Sequence, residues 1–204
     1  MLRSPHGLRN FSLMSLSQHN LFPDFSLTDS NWQALAQHPM LPAAAVCEWL
    51  LDEGSLTQQL IALSDHQFEV KLVWEGWVLL PAMALSRHFG PLAAAHRFWS
   101  RKVMLFGKGQ PWVSAHTLIP EHSFSSPLQQ VMRLKTKPLG EFLFSYPELI
   151  RSEMDFTLAA DQVWGRRSLF FLFQKPVMVA EFFLPELLAA ITASPLRTAQ
   201  KILL

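Results

Sequence analysis

FWSRKVMLF at Phe98 to Phe106, the turn GKGQP at Gly107 to Pro111 and WVSAHTLI at Trp112 to Ile119 decide the fold class. The outer stretches are apolar and rich in β-formers, and glycines join them, so they predict an antiparallel hairpin. Working outward, FEVKLVW from Phe68 alternates Phe68, Val70, Leu72 and Trp74 with Glu69 and Lys71, the mark of a half-buried strand. SLFFLF at Ser168 to Phe173 and VMVAEFF at Val177 to Phe183 predict a second hairpin through QKP. Pro185 stops that strand and starts a short terminal helix.

Helical signals fall between the strands. From Pro42 to Leu63, AAAVCEWLLDE places Val46, Trp49 and Leu50 on one face, and Gly54 interrupts it. Ser55, with Gln58 three residues later, then opens a second helix with a capping-box pattern. Two short helices joined by a tight turn form a unit often used as a lid. Pro127 to Arg133 and Leu139 to Phe144, parted by Pro138, predict another such pair. Hairpins with inserted helix pairs make an α+β domain on an antiparallel sheet.

The 204 residues suffice for one domain with modest extensions. Half are hydrophobic and 16% are charged, which suits a compact, largely apolar interior. With 17 basic against 16 acidic residues and no Lys/Arg stripe, a nucleic-acid partner is not expected. Cys47 stands alone among apolar neighbours, so a buried, inert thiol in a reducing compartment, the cytoplasm, is expected. No apolar run reaches the roughly 18 residues of a membrane span, and Pro81 breaks the richest stretch, Trp77 to Leu85. The first twenty residues carry Arg3, His6, Arg9 and His19, and no acid precedes Asp24. That pattern resembles a transit peptide, but a mobile tail, or a start at Met14, is the preferred reading.

Familiar catalytic signatures are absent: no glycine-rich phosphate loop, no GxSxG, no HExxH. The eight histidines are dispersed without metal-ligand spacing, so neither metal nor cofactor is expected. What stands out is two charges inside core-like strands. Arg101 shares the parity of Trp99, Val103 and Leu105; Glu181 shares that of Val177, Val179 and Phe183. An ionised group on an apolar face must find a partner, because burying it unpaired costs several kcal/mol. The two could bridge each other, sit at a frayed edge, or face a polar ligand within the core. WGRR at Trp164 to Arg167 reads as a tight turn with a packed indole and arginines bracing helix ends.

FWSRKV at Phe98, QPW at Gln110, KPLGEFLF at Lys137, VWGRRS at Val163 and KPVMVAEFFLP at Lys175 together resemble the chorismate pyruvate-lyase family, in order and at near-family spacing. A fainter likeness reaches back through WLLDEGSLT at Trp49, so it spans roughly Ala45 to Pro185. The family supplies 4-hydroxybenzoate to bacterial ubiquinone synthesis, and its fold is an antiparallel sheet with two helix–turn–helix flaps over a buried ligand. The resemblance implies a cofactor-free carbon–oxygen lyase that splits chorismate into 4-hydroxybenzoate and pyruvate. It divides the chain into a flexible extension (1–22), a lyase-like domain (23–185) and a C-terminal helical extension (186–204). Its ligand arginine falls on Arg101, its ligand glutamate on Glu181, and two flap contacts on Leu56 and Leu139. The family commonly has Met at the position of Leu56, and KTKPLG at Lys135 to Gly140 also departs from its pattern.

Glu181 would then act as an acid toward the departing ether or orient the ring hydroxyl, and Arg166 or Arg167 is a candidate for the second carboxylate. A monomer without stable membrane insertion is expected. The rival reading is a non-catalytic domain of related fold that binds small aromatic carboxylates.

Overall fold

The computed structural model describes residues 25, 27, 31–81, 85–93, 95–159 and 162–194. The N-terminal tail, Met14 and the segment from Leu196 to Leu204 lie outside these. Seven strands form one antiparallel sheet: β1 (Phe68–Pro81), β2 (Ala95–Gly107), β3 (Gln110–Pro120), β4 (Ile150–Arg151), β5 (Asp155–Leu158), β6 (Trp164–Leu172) and β7 (Lys175–Phe183). Their order is β1-β2-β3-β7-β6-β4, and β5 also pairs with β6. The β6–β7 hairpin is thus laid beside β2–β3, and everything between Pro120 and Ile150 must cross the sheet as a connection.

The deciding hairpin forms as read, turning at Lys108 and Gly109, both with positive φ (51° and 74°). Helices α1 (Ala44–Leu51) and α2 (Leu56–Leu63) form the first helix pair. Ser55 caps α2, its hydroxyl accepting the Gln58 amide at 3.4 Å. A four-residue helix, α3 (Ser86–Phe89), links β1 to β2, and α4 (Leu139–Phe144) matches its expected bounds. Leu128–Arg133 is a 3-10 helix, so the second helix pair is tighter than expected. Helix α5 (Pro185–Ala193) buries Leu187 and Ile191 in the same core cluster as Trp49, Leu50 and Leu60.

Three expectations are corrected. WGRR is not a turn: it opens β6, which starts at Trp164. The β6–β7 turn is made by Phe173 and Gln174, both at positive φ, and Lys175 and Pro176 already belong to β7. In β1 the register shifts between Leu72 and Trp74, so alternation does not carry through, and both side chains are exposed. A bulge changes which face a strand's later residues meet.

Strand parity sorts the two sheet faces. One carries Phe98, Met104, Leu118, Met178 and Phe182 against Leu27, Trp32, Leu85 and Phe89. The other carries Val103, Leu105, Val113 and Phe183 against α1, α2 and α5, and Trp99, Ile119, Phe170 and Val177 against the second helix pair. Between the two helix pairs that second face is not filled by apolar packing. There the charges stand.

Candidate active site

The register fixes where the charges lie. On the flap-facing side, Arg101 sits opposite Thr117, which sits opposite Val179, opposite Ser168. In the next row Val103, Ala115, Glu181 and Arg166 stand in line. Arg101 and Glu181 therefore face the same side across the width of β3. A cavity enclosing about 590 Å³ of empty space, its mouth included, opens over these rows. Its walls include Arg101, Thr117, Glu181, Arg166 and Arg151 from the sheet, and Leu56, Thr57, Leu139 and Gly140 from the helix pairs. Few polar groups converge in its mostly apolar wall, as in a site for a small organic ligand.

The four expected site residues meet here. Leu56 and Leu139 are the first residues of α2 and α4, 4% and 7% exposed. The two helix pairs touch at Gly140, where a Cβ would lie 3.1 Å from the Thr57 hydroxyl, so a bare glycine lets them close. A helix's first amides have no partner within it, so each flap brings N–H groups to its tip.

Arg101 is 1% exposed. Its Nη2 donates to the carbonyls of Lys135 (2.7 Å) and Lys137 (3.1 Å), which ties the second helix pair to the sheet. Glu75, its cross-strand neighbour on β1, stands 3.7 Å from Arg101 Nε, too far for a hydrogen bond. Arg101 Nε and Glu75 Oε2 are both buried without hydrogen-bond partners. Burial holds the Arg101 guanidinium pKa below its ordinary value, and the Glu75 charge opposes that shift.

Glu181 accepts a 2.7 Å hydrogen bond from Arg166 Nε. The bridge imagined between Arg101 and Glu181 is not formed: each has another ionic partner. Arg166, 1% exposed, also donates through Nη1 to the carbonyls of Trp49 (2.9 Å), Leu50 (3.2 Å) and Asp52 (2.7 Å), the C-terminal end of α1. The expected brace of a helix end is therefore real for Arg166, though made from a strand. Arg167 points to the opposite face, bonded to Asp155 (3.0 Å) and the Leu27 carbonyl and stacked over Trp32.

The sequence reading missed Arg151. It lies on β4, donates through Nε to Ser168 Oγ (2.9 Å) and through Nη1 to the Glu53 carbonyl (3.0 Å), and stacks over Phe170. Its pKa is held down by burial first and by Arg166 second, against Glu181, Glu53 and Asp52. Arg166 could have been found by the parity that found Arg101, had the strand been extended back to Trp164. Cys47 is half-buried on α1, and its thiol meets the Pro42 carbonyl at 3.4 Å. Among the described residues no group of three or more His, Cys, Asp or Glu could hold a metal ion, and no helix is long and apolar enough to cross a membrane.

Chemically, the cavity is a mostly apolar slot with a guanidinium at one end and a carboxylate–guanidinium pair at the other. Such a recess can take a small anionic molecule with a polar group opposite its charge. The chorismate lyase family matches residues 26–192 of the chain. The chorismate pyruvate-lyase of Cronobacter sakazakii is 32% identical over 192 residues, covering 93% of this chain and 98% of the relative. That of Serratia proteamaculans is 35% identical over 150 residues, covering 74% and 83% respectively. The effector domain of PhnF from Mycobacterium smegmatis shares the fold, with a TM-score of 0.50 at 12% identity over 67% of this chain and 91% of that domain. On the family match and these relatives, the chain belongs to the chorismate lyase family.

Proposed function

We propose that this chain is a chorismate pyruvate-lyase, converting chorismate to 4-hydroxybenzoate and pyruvate in the cavity between the sheet and the two flaps. The observation that carries the reading is the placement of Arg101 and Glu181 on one face across β3, with Leu56 and Leu139 on the flaps above. Arg101 takes the ring carboxylate, and Glu181 meets the ring hydroxyl on the para side. The flap amides beginning at Leu56 and Leu139 supply further donors to the carboxylate.

The reaction breaks the C3–O ether bond and removes the hydrogen on C4, so the ring becomes aromatic. The ether's electron pair leaves with enolpyruvate, and the proton lost from C4 balances the one gained by its methylene carbon as pyruvate forms. Aromatisation makes the step downhill, so the enzyme has mainly to hold the reactive conformer in a dry space. Glu181 accepts a 2.7 Å hydrogen bond from Arg166 Nε, which holds its carboxylate in place on the cavity wall. It therefore serves as acceptor for the ring hydroxyl, while the proton is transferred within the bound substrate. Release of a flat acid from beneath the two flaps requires them to part.

The product is the aromatic acid from which ubiquinone is built, and that places the reaction at the entry to its synthesis. A pocket closed by the chain's own two flaps needs no partner subunit, which supports a monomer, and the free thiol of Cys47 supports the cytoplasm. Incubating the protein with chorismate and following absorbance tests the reading: 4-hydroxybenzoate and pyruvate are expected in equal amounts. Tight 4-hydroxybenzoate binding without turnover would make the chain a binding domain instead.

A further inference from the structure

Chorismate carries two carboxylates, 4-hydroxybenzoate one, and Arg101 accounts for the one they share. The second belongs to the enolpyruvyl arm. Its ether oxygen sits on C3, next to the carbon that bears the hydroxyl, so it must lie at the Glu181 end of the cavity.

Three arginines line the cavity against one carboxylate, Glu181. Arg166 is committed. Its Nε neutralises Glu181, and its Nη1 is shared by three carbonyls of the first flap. Arg167 faces away from the cavity, so neither arginine of WGRR suits a second anion. Arg151 does. It stands over Ser168, which lies in the row next to Glu181 and Arg166, so it occupies the hydroxyl end. Its hydrogen bonds go to one hydroxyl and one carbonyl, both neutral, and among the described residues it makes no ion pair with a carboxylate. A half-buried guanidinium bonded only to neutral acceptors has carboxylates nearby but no direct ion pair, and an anionic ligand supplies one. With Arg166 paired to Glu181, Arg101 and Arg151 are the cavity guanidiniums left to meet the two carboxylates of the substrate. Arg101 has Glu75 3.7 Å behind it, and Arg151 has no direct ion pair among the described residues.

We propose that Arg151 binds the enolpyruvyl carboxylate of chorismate, held in place by Ser168 Oγ and the Glu53 carbonyl, and so distinguishes substrate from product. The proposal rests on the lyase reading above. After cleavage that carboxylate leaves with pyruvate, so the contact is lost to the bound product.

The test compares one ligand that has the arm with one that lacks it. For Arg151→Gln, KM for chorismate is expected to rise about tenfold to a hundredfold, the scale of a charged hydrogen bond. The 4-hydroxybenzoate Kd should stay within about threefold, since that ligand never reaches Arg151. Arg151→Lys, which keeps the charge, should recover part of the loss. Ser168→Ala should show a smaller version of the same split, and these two variants carry the test if Arg151→Gln fails to fold. Parallel weakening of both ligands, or no change in either, would overturn the assignment of Arg151. A wild-type protein that does not turn chorismate over would instead overturn the lyase reading, whatever the variants do.

Discussion

Two arginines with the same exposure, Arg101 and Arg166, have opposite partners. Arg166 is bonded to Glu181 through Nε and to the end of α1 through Nη1, whereas Arg101 keeps a buried Nε without a hydrogen bond. Parity alone picked out Arg101 and Glu181 because each interrupts an otherwise apolar strand face. It did not supply their partners, since the start of β6 does not read as strand and the register of β1 against β2 shifts between Leu72 and Trp74. Arg151 was illegible for a different reason: its strand is two residues long and has no period to read. At this scale His88 supplies a prediction about pH. Burial first, then Arg167 and Arg87, against Asp155, push its pKa down to about 4 from 6.5. The unfolded chain takes up the proton near 6.5, while the folded chain resists it until about 4. The contribution of neutral His88 is therefore fully present above the unfolded value and is lost as pH falls between these limits. Urea unfolding of wild type and His88→Gln across this window should show the wild type losing more stability on acidification. Parallel pH curves would contradict it.

Elements were more legible than their joints. The β2–β3 hairpin, α2 with its Ser55 cap, and α4 each announce themselves locally, through glycines, capping residues and short-range period. The start of β6 did not, because Trp-Gly-Arg-Arg has turn composition. Only long-range pairing with Glu181 and the α1 carbonyls makes a strand of it. Gly165 shows the tertiary demand: a Cβ there would lie 2.7 Å from the Phe182 ring on β7. Short strands β4 and β5 likewise exist only because β6 presents an edge to them. Arg166 is the tie between that edge and the first flap. Arg166→Met would strand the Glu181 carboxylate and three carbonyls, so a loss of about 3–5 kcal/mol in urea unfolding is expected. A loss below about 1 kcal/mol would show that α1 is held without it.

Over the whole molecule, the α+β class followed from counting hairpins and inserted helix pairs, and the family likeness converged on the same residues. What neither supplied is the division of labour within the cavity. Arg101 is anchored to the second flap, Arg166 to the first, and Arg151 to the loop before α2. Each flap is thereby fastened to the sheet by a guanidinium that lines the cavity, so ligand binding and flap closure share the same groups. The central claim is that Arg101 and Glu181 together hold the reacting ring. Its most direct test is chorismate turnover alongside 4-hydroxybenzoate titration in Arg101→Lys, Glu181→Gln and the double variant, each checked for folding by circular dichroism. Arg101→Lys should weaken 4-hydroxybenzoate binding by about 1–3 kcal/mol, because it keeps the charge and loses the planar fork. Glu181→Gln should lower turnover and product affinity together, as expected of a group that orients the hydroxyl. The double variant should be folded and nearly inactive; wild-type turnover in it would contradict the account.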